Sequence, residues 1–102
     1  MLKNVLLVDD DKEVLLTMQK GFKKYQASFS VLVAEDGQQA SESLKDNVVS
    51  LVVTDLKMPR MDGFELLAYI MEHYPDIPVI MLTGQGTPEM EGLARQGGAV
   101  SY

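Results

Sequence analysis

Apolar residues in this chain alternate between two kinds of spacing. Short continuous runs give way to stretches in which apolar positions recur every third or fourth residue. Val5-Leu6-Leu7-Val8 is a buried-strand pattern ending on Asp9-Asp10-Asp11. Residues 12–25 then place Val14, Leu15, Met18 and Phe22 at helical spacing, with Asp10 or Asp11 available as cap. Residues 28–34 alternate, with Phe29, Val31 and Val33 on one face and Ser28 and Ser30 on the other. That predicts a strand with one polar face, at an edge.

Asp36-Gly37 marks a turn into a short helix carrying Ala40 and Leu44. Residues 48–54 form the next strand, which delivers Asp55. Met58-Pro59 forces a turn, and Asp62-Gly63 opens a helix with Phe64, Leu67, Ala68 and Met71 inward, ended by Pro75. Val79-Ile80-Met81-Leu82 is a further strand, ending on Thr83. Gly84-Gln85-Gly86 reads as a flexible loop. Thr87-Pro88-Glu89 reads as cap, first-turn proline and first-turn acid of a helix that stops at Gly97-Gly98. Residues 99–102 begin one more strand. Strands alternating with helices predict an α/β fold, with a parallel sheet and helices on both faces.

Composition narrows the picture without changing it. A chain of 102 residues, 46% hydrophobic and 24% charged, suits one small globular domain. The net charge of −6 argues against direct nucleic-acid partners. With no cysteine there are no disulfides or thiolate metal sites, which fits a cytoplasmic protein. No apolar run reaches the roughly 20 residues of a membrane span, and the first residues lack a signal-peptide layout.

Topology supplies the candidate chemistry. Parallel strands end on one rim, so Asp9, Asp10, Asp55 and Thr83 converge there although they are distant in sequence. Carboxylates about 4 Å apart repel by about 4 kcal/mol per pair at an effective dielectric near 20. Such a cluster takes up a proton or holds a cation. Oxygen-only donors suit a hard ion, Mg²⁺ before Ca²⁺ or Zn²⁺, and Mg²⁺ commonly bridges carboxylates to a phosphate. Helix capping is the competing explanation of the Asp9-Asp10-Asp11 triplet.

Val5-Leu6-Leu7-Val8-Asp9-Asp10, Thr54-Asp55-Leu56-Lys57-Met58-Pro59 with Met61-Asp62-Gly63, Met81-Leu82-Thr83-Gly84, and Gly98-Ala99 with Tyr102 together resemble the receiver domain of bacterial two-component response regulators. The stretch from Asp55 to Gly63 is the specific part of the match. The resemblance implies a doubly wound, flavodoxin-like sheet of strand order 2-1-3-4-5 over residues 1–102. It implies that Asp55 accepts a phosphoryl group from a sensor histidine kinase or phosphotransfer protein. Asp9, Asp10, Asp55 and the backbone carbonyl of Lys57 would hold Mg²⁺. Thr83 would hydrogen-bond the phosphoryl oxygens, and Tyr102 would be the switch aromatic. Such a domain is a signalling element rather than an enzyme, limited to self-catalysed phosphotransfer and autodephosphorylation.

Domains of this kind carry a Lys-Pro pair shortly after the switch aromatic, and no lysine here matches it. On that pattern the chain is expected to be C-terminally truncated, with the fifth strand only begun and the fifth helix absent. An output domain would lie beyond residue 102, and the uncovered strand edge or helix face would invite self-association. Two other readings stand beside this one. Asp9-x-Asp11 with Thr83 also resembles haloacid-dehalogenase-type phosphatases, with Asp9 as nucleophile and Asp11 as general acid, but the stretch from Asp55 to Gly63 has no role there. The second is an interaction module that keeps the fold without phosphorylation.

Overall fold

The computed structural model describes residues 3–25, 28–55 and 63–82, without the side chains of Tyr25 and Leu82. Within them four parallel strands, β1 (Lys3–Val8), β2 (Phe29–Ala34), β3 (Val49–Asp55) and β4 (Val79–Leu82), form a sheet of order β2-β1-β3-β4. Helices α1 (Lys12–Phe22), α2 (Gly37–Asp46) and α3 (Gly63–His73) connect them, and a 3₁₀ turn, Lys23–Tyr25, follows α1. This is the doubly wound, flavodoxin-like order expected for these strands, with β2 at an edge. The expected loop at Gly84-Gln85-Gly86, the helix opened by Thr87 and the strand over residues 99–102 lie outside the described residues.

The two sheet faces follow from strand alternation. Leu6, Val8, Ala34, Val52, Val79 and Met81 point to one face, where they pack with Ala40 and Leu44 of α2 and Leu66, Leu67 and Ile70 of α3. Val5, Leu7 and Val53 point to the other, where Leu15 of α1 covers them with Met18 and Phe22 beside it. Between Asn4 and Val5 the β1–β3 register slips, because Asn4 pairs with Val49 and Val5 with Leu51. That bulge turns Val49 toward the α2–α3 face although Leu51, two residues on, faces α1.

Local chemistry sets the helix ends. Asp11 caps α1, its Oδ1 accepting from the amides of Glu13 at 2.9 Å and Val14 at 3.4 Å. Asp36 caps α2 through the Gln39 amide at 2.8 Å, and the Gln39 side chain reaches back to accept from the Glu35 amide at 3.0 Å. Helix α3 ends at His73, two residues before Pro75, whose ring disfavours helical backbone at Tyr74.

Four expectations need correction. The predicted polar face of β2 is apolar toward its end, since Leu32 and buried Ala34 pack on the α2–α3 core. In α3 the buried residues are Gly63, Leu66, Leu67 and Ile70, whereas Ala68 is exposed. A small alanine adds little apolar area, so the larger leucine and isoleucine decide which stripe turns inward. Val48, expected in β3, is exposed and precedes the strand. The helical run over residues 12–25 tightens into the 3₁₀ turn after Phe22.

Candidate functional site: an acidic rim

Asp9 follows β1 directly, and its amide donates to the Ala34 carbonyl at 3.1 Å, extending the β1–β2 ladder by one residue. Asp55 is the last residue of β3. Because Val8 pairs with Thr54, the next residues of both strands, Asp9 and Asp55, come level at the carboxyl rim. Asp10 lies in the bend that leads into α1. One carboxylate oxygen from each of Asp9, Asp10 and Asp55 lies within 4.8 Å of the others. The sequence places Asp55 at least 45 residues from Asp9 and Asp10; parallel pairing brings them together.

The Asp9-Asp10-Asp11 triplet divides its labour. Asp11 spends its carboxylate on the α1 cap, and its own amide donates to Asp9 Oδ1 at 2.9 Å. Helix capping therefore accounts for Asp11, while Asp9 and Asp10 are left in the rim cluster. The same cap occupies the group that the phosphatase reading needs as general acid. Asp9 is buried at 8% exposure, Asp10 is exposed and Asp55 is intermediate.

Burial pushes the Asp9 carboxyl above the ordinary aspartate value of 3.8. The negative charges of Asp55, Asp10 and Asp11 push it the same way, against the Asp11 amide, which favours the charged form. The cluster is thus strained in charge while its geometry is set by strand pairing. Three oxygen donors, with no nitrogen or sulfur among them, match a hard divalent cation such as Mg²⁺.

Thr83, the Lys57 carbonyl and Tyr102 lie outside the described residues, so the described rim consists of the three aspartates. Sequence reasoning missed the hydroxyl of buried Thr54 beside them, which donates to the Asp55 carbonyl at 3.0 Å. A β-branched polar residue in a buried strand was the available signal.

Comparison with known proteins gives a consistent family. The model of the response regulator receiver domain matches residues 5–102. A probable cyclic di-GMP phosphodiesterase of Vibrio cholerae is 37% identical over 100 residues, covering 96% of this chain and 22% of that protein. The transcriptional regulatory protein GlrR of Escherichia coli is 37% identical over 99 residues, covering 97% of this chain and 22% of that protein. The chain thus spans under a quarter of the length of these relatives.

Among solved structures, the signal receiver domain of an HD domain-containing protein from Pseudomonas fluorescens is similar, with a TM-score of 0.90 and 30% identity. That match covers 100% of this chain and 81% of the other. The chemotaxis protein CheY4 of Vibrio cholerae gives a TM-score of 0.90 at 26% identity, covering 99% of this chain and 84% of its own. Strand order, the rim of three aspartates and the family match agree, and the chain belongs to the response regulator receiver domain family.

Proposed function

We propose that residues 1–102 form one receiver domain in which Asp55 is the phosphoacceptor of a two-component phosphorelay. The observation that carries this reading is the meeting of Asp9, Asp10 and Asp55 within 4.8 Å at the end of the sheet. The donor is a phosphohistidine on a sensor kinase or phosphotransfer protein. An Asp55 carboxylate oxygen attacks phosphorus, the P–N bond breaks as the P–O bond forms, and the imidazole leaves with a proton. Water later cleaves the acyl phosphate and restores the carboxylate.

Asp9, Asp10 and Asp55, with the Lys57 backbone carbonyl, would hold Mg²⁺. When bound, the ion neutralises the crowded carboxylates and the charge of the incoming phosphoryl group. Asp10 is the stronger direct ligand of the pair, because one Asp9 oxygen already accepts from the Asp11 amide. Thr83 would receive the phosphoryl oxygens and Tyr102 would follow it as the switch aromatic. Phosphorylation adds about −1.5 to −2 charge at the rim, enough to reorder nearby groups. The chain would act in the cytoplasm and report to an output carried elsewhere in a longer protein. Transcriptional regulators and a probable phosphodiesterase among the relatives fit that arrangement.

Incubation with Mg²⁺ and acetyl phosphate, followed by mass spectrometry, tests the reading. Phosphate is expected on Asp55 and is lost in Asp55→Asn. Modification of Asp9 instead, or none in the folded chain, overturns it. In a Mg²⁺ titration, Asp10→Ala is expected to weaken binding about tenfold or more and Asp9→Ala less. Equal, negligible effects would refute the ligand roles.

A further inference from the structure

Strand β2 has a single neighbour, β1, among the described residues. In a parallel strand the amide and carbonyl of one residue point to the same side, and successive residues alternate. The carbonyls of Ser28 and Ala34 accept from the amides of Lys3 at 3.2 Å and Asp9 at 3.1 Å, so even-numbered residues of β2 face β1. The backbone groups of Val31 and Val33 therefore point away from the sheet, and neither takes a hydrogen-bond partner among the described residues. Open edges are normally blunted by charges, proline or a bulge. This one reads Phe-Ser-Val-Leu-Val-Ala, pairs with β1 in unbroken register, and leaves Val33 43% exposed.

The strand's surroundings say what fits it. Lys23 and Lys24 precede it, both exposed, and Glu35, which also lies 3.6 Å from Lys12 of its own chain, follows it. An antiparallel copy of the same strand brings the lysine end of each chain to the Glu35 end of the other. It also sets valine against valine, and every outward backbone group of Val31 and Val33 finds its complement. We propose that β2 is a self-association edge. Two copies of this chain join β2 to β2 antiparallel about a two-fold axis at Leu32, with Val31 of each opposite Val33 of the other.

The contact is isologous, so it closes at a dimer. It is also small, in the range below about 1,200 Å² where association is weak and reversible. It uses none of the rim aspartates and stands independently of the phosphoacceptor reading.

Sedimentation equilibrium of the chain from about 1 µM to about 1 mM, a span that covers weak association, tests the proposal. A concentration-dependent dimer is expected. Val33→Pro removes an amide that β1 does not use, and Val33→Lys adds charge at an exposed position, so both are compatible with the monomer fold. Each is expected to weaken dimerisation by roughly tenfold or more, with circular dichroism checking that the monomer stays folded. Lys23→Glu should weaken the dimer, because it places a negative charge at the end that meets the partner's Glu35 end. A chain that stays monomeric at every concentration overturns the proposal, whether or not it binds an added extended peptide. A dimer that survives both Val33 variants also overturns it, and a dimer that Lys23→Glu leaves unchanged overturns the antiparallel arrangement.

Discussion

The two faces of the sheet are built to different depths. On the α2–α3 face, a dozen residues from four strands and two helices bury one another, among them Leu6, Val52, Leu66, Ile70 and Met81 at complete or nearly complete burial. On the α1 face the buried set among the described residues is Val5, Leu7, Leu15 and Val53. Met18, Phe22, Phe29, Val31, Leu51 and Ile80 pack there while keeping part of their surface in water. Val14 and Leu16 of α1 are 40% and 52% exposed. Alternation along β3 puts Asp55 on the side of Leu51 and Val53. The acidic rim thus grows out of the more lightly packed face, and the denser face holds the strands that position it. Where a charge change must be felt, loosely packed neighbours respond at lower cost than a close-packed core.

Truncating one buried side chain on each face gives the widest contrast. Ile70→Ala opens a cavity under α3 where neighbouring side chains cannot collapse inward, and a loss of about 2–5 kcal/mol in urea unfolding is expected. Leu15→Ala, on the α1 face, is expected to cost about 2 kcal/mol, at the lower end of that range, because partly buried Met18 and Phe22 can shift into the space. If Leu15→Ala proves the costlier change, the ranking of the faces is reversed.

Asp9→Asn carries the smallest effect and the opposite sign. The folded pKa of Asp9 is raised, so this group favours folding when protonated, and that contribution is fully present only below its unfolded value of 3.8. It is lost as pH rises through the folded value, leaving a buried like-charged carboxylate at neutral pH. The neutral Asn can still accept from the Asp11 amide. A rise in Tm of roughly a few degrees is therefore expected at pH 7 without divalent cation, on the scale of 4–8 °C per kcal/mol for a chain of this size. The gain should vanish in acid. A lower Tm at pH 7 would mean that the charge of Asp9 stabilises the rim.

Legibility differed by kind of feature. The order of strands and helices could be read from spacing, because long apolar runs and 3.6-residue periodicity are local properties. Helix caps were equally local: Asp11 and Asp36 each sit just before a helix they close. Face assignment was less legible. Ala68 lost its predicted inward place to Ile70, and β2 acquired packing on both sides, because burial depends on what neighbouring elements offer. The bulge at Asn4–Val5 left no sequence mark at all, since any pair of residues can slip when turn and side-chain packing require it.

By itself the sequence determined that one acid ends β3 and a triplet follows β1, and that both strands belong to one parallel sheet. Residue type and periodicity suffice for that, as each is written within a few neighbouring positions. Only the tertiary structure decided how the triplet is shared. The α1 helix needs a cap, and Asp11 supplies it, turning its amide onto Asp9. Strand register then sets Asp9 level with Asp55, and the Asp55 carboxylate comes within 4.8 Å of those of Asp9 and Asp10, at least 45 residues earlier in the chain. The electrostatic strain that makes this rim a candidate for cation and phosphate exists only once the sheet forms, because it is a property of distance and burial rather than of composition.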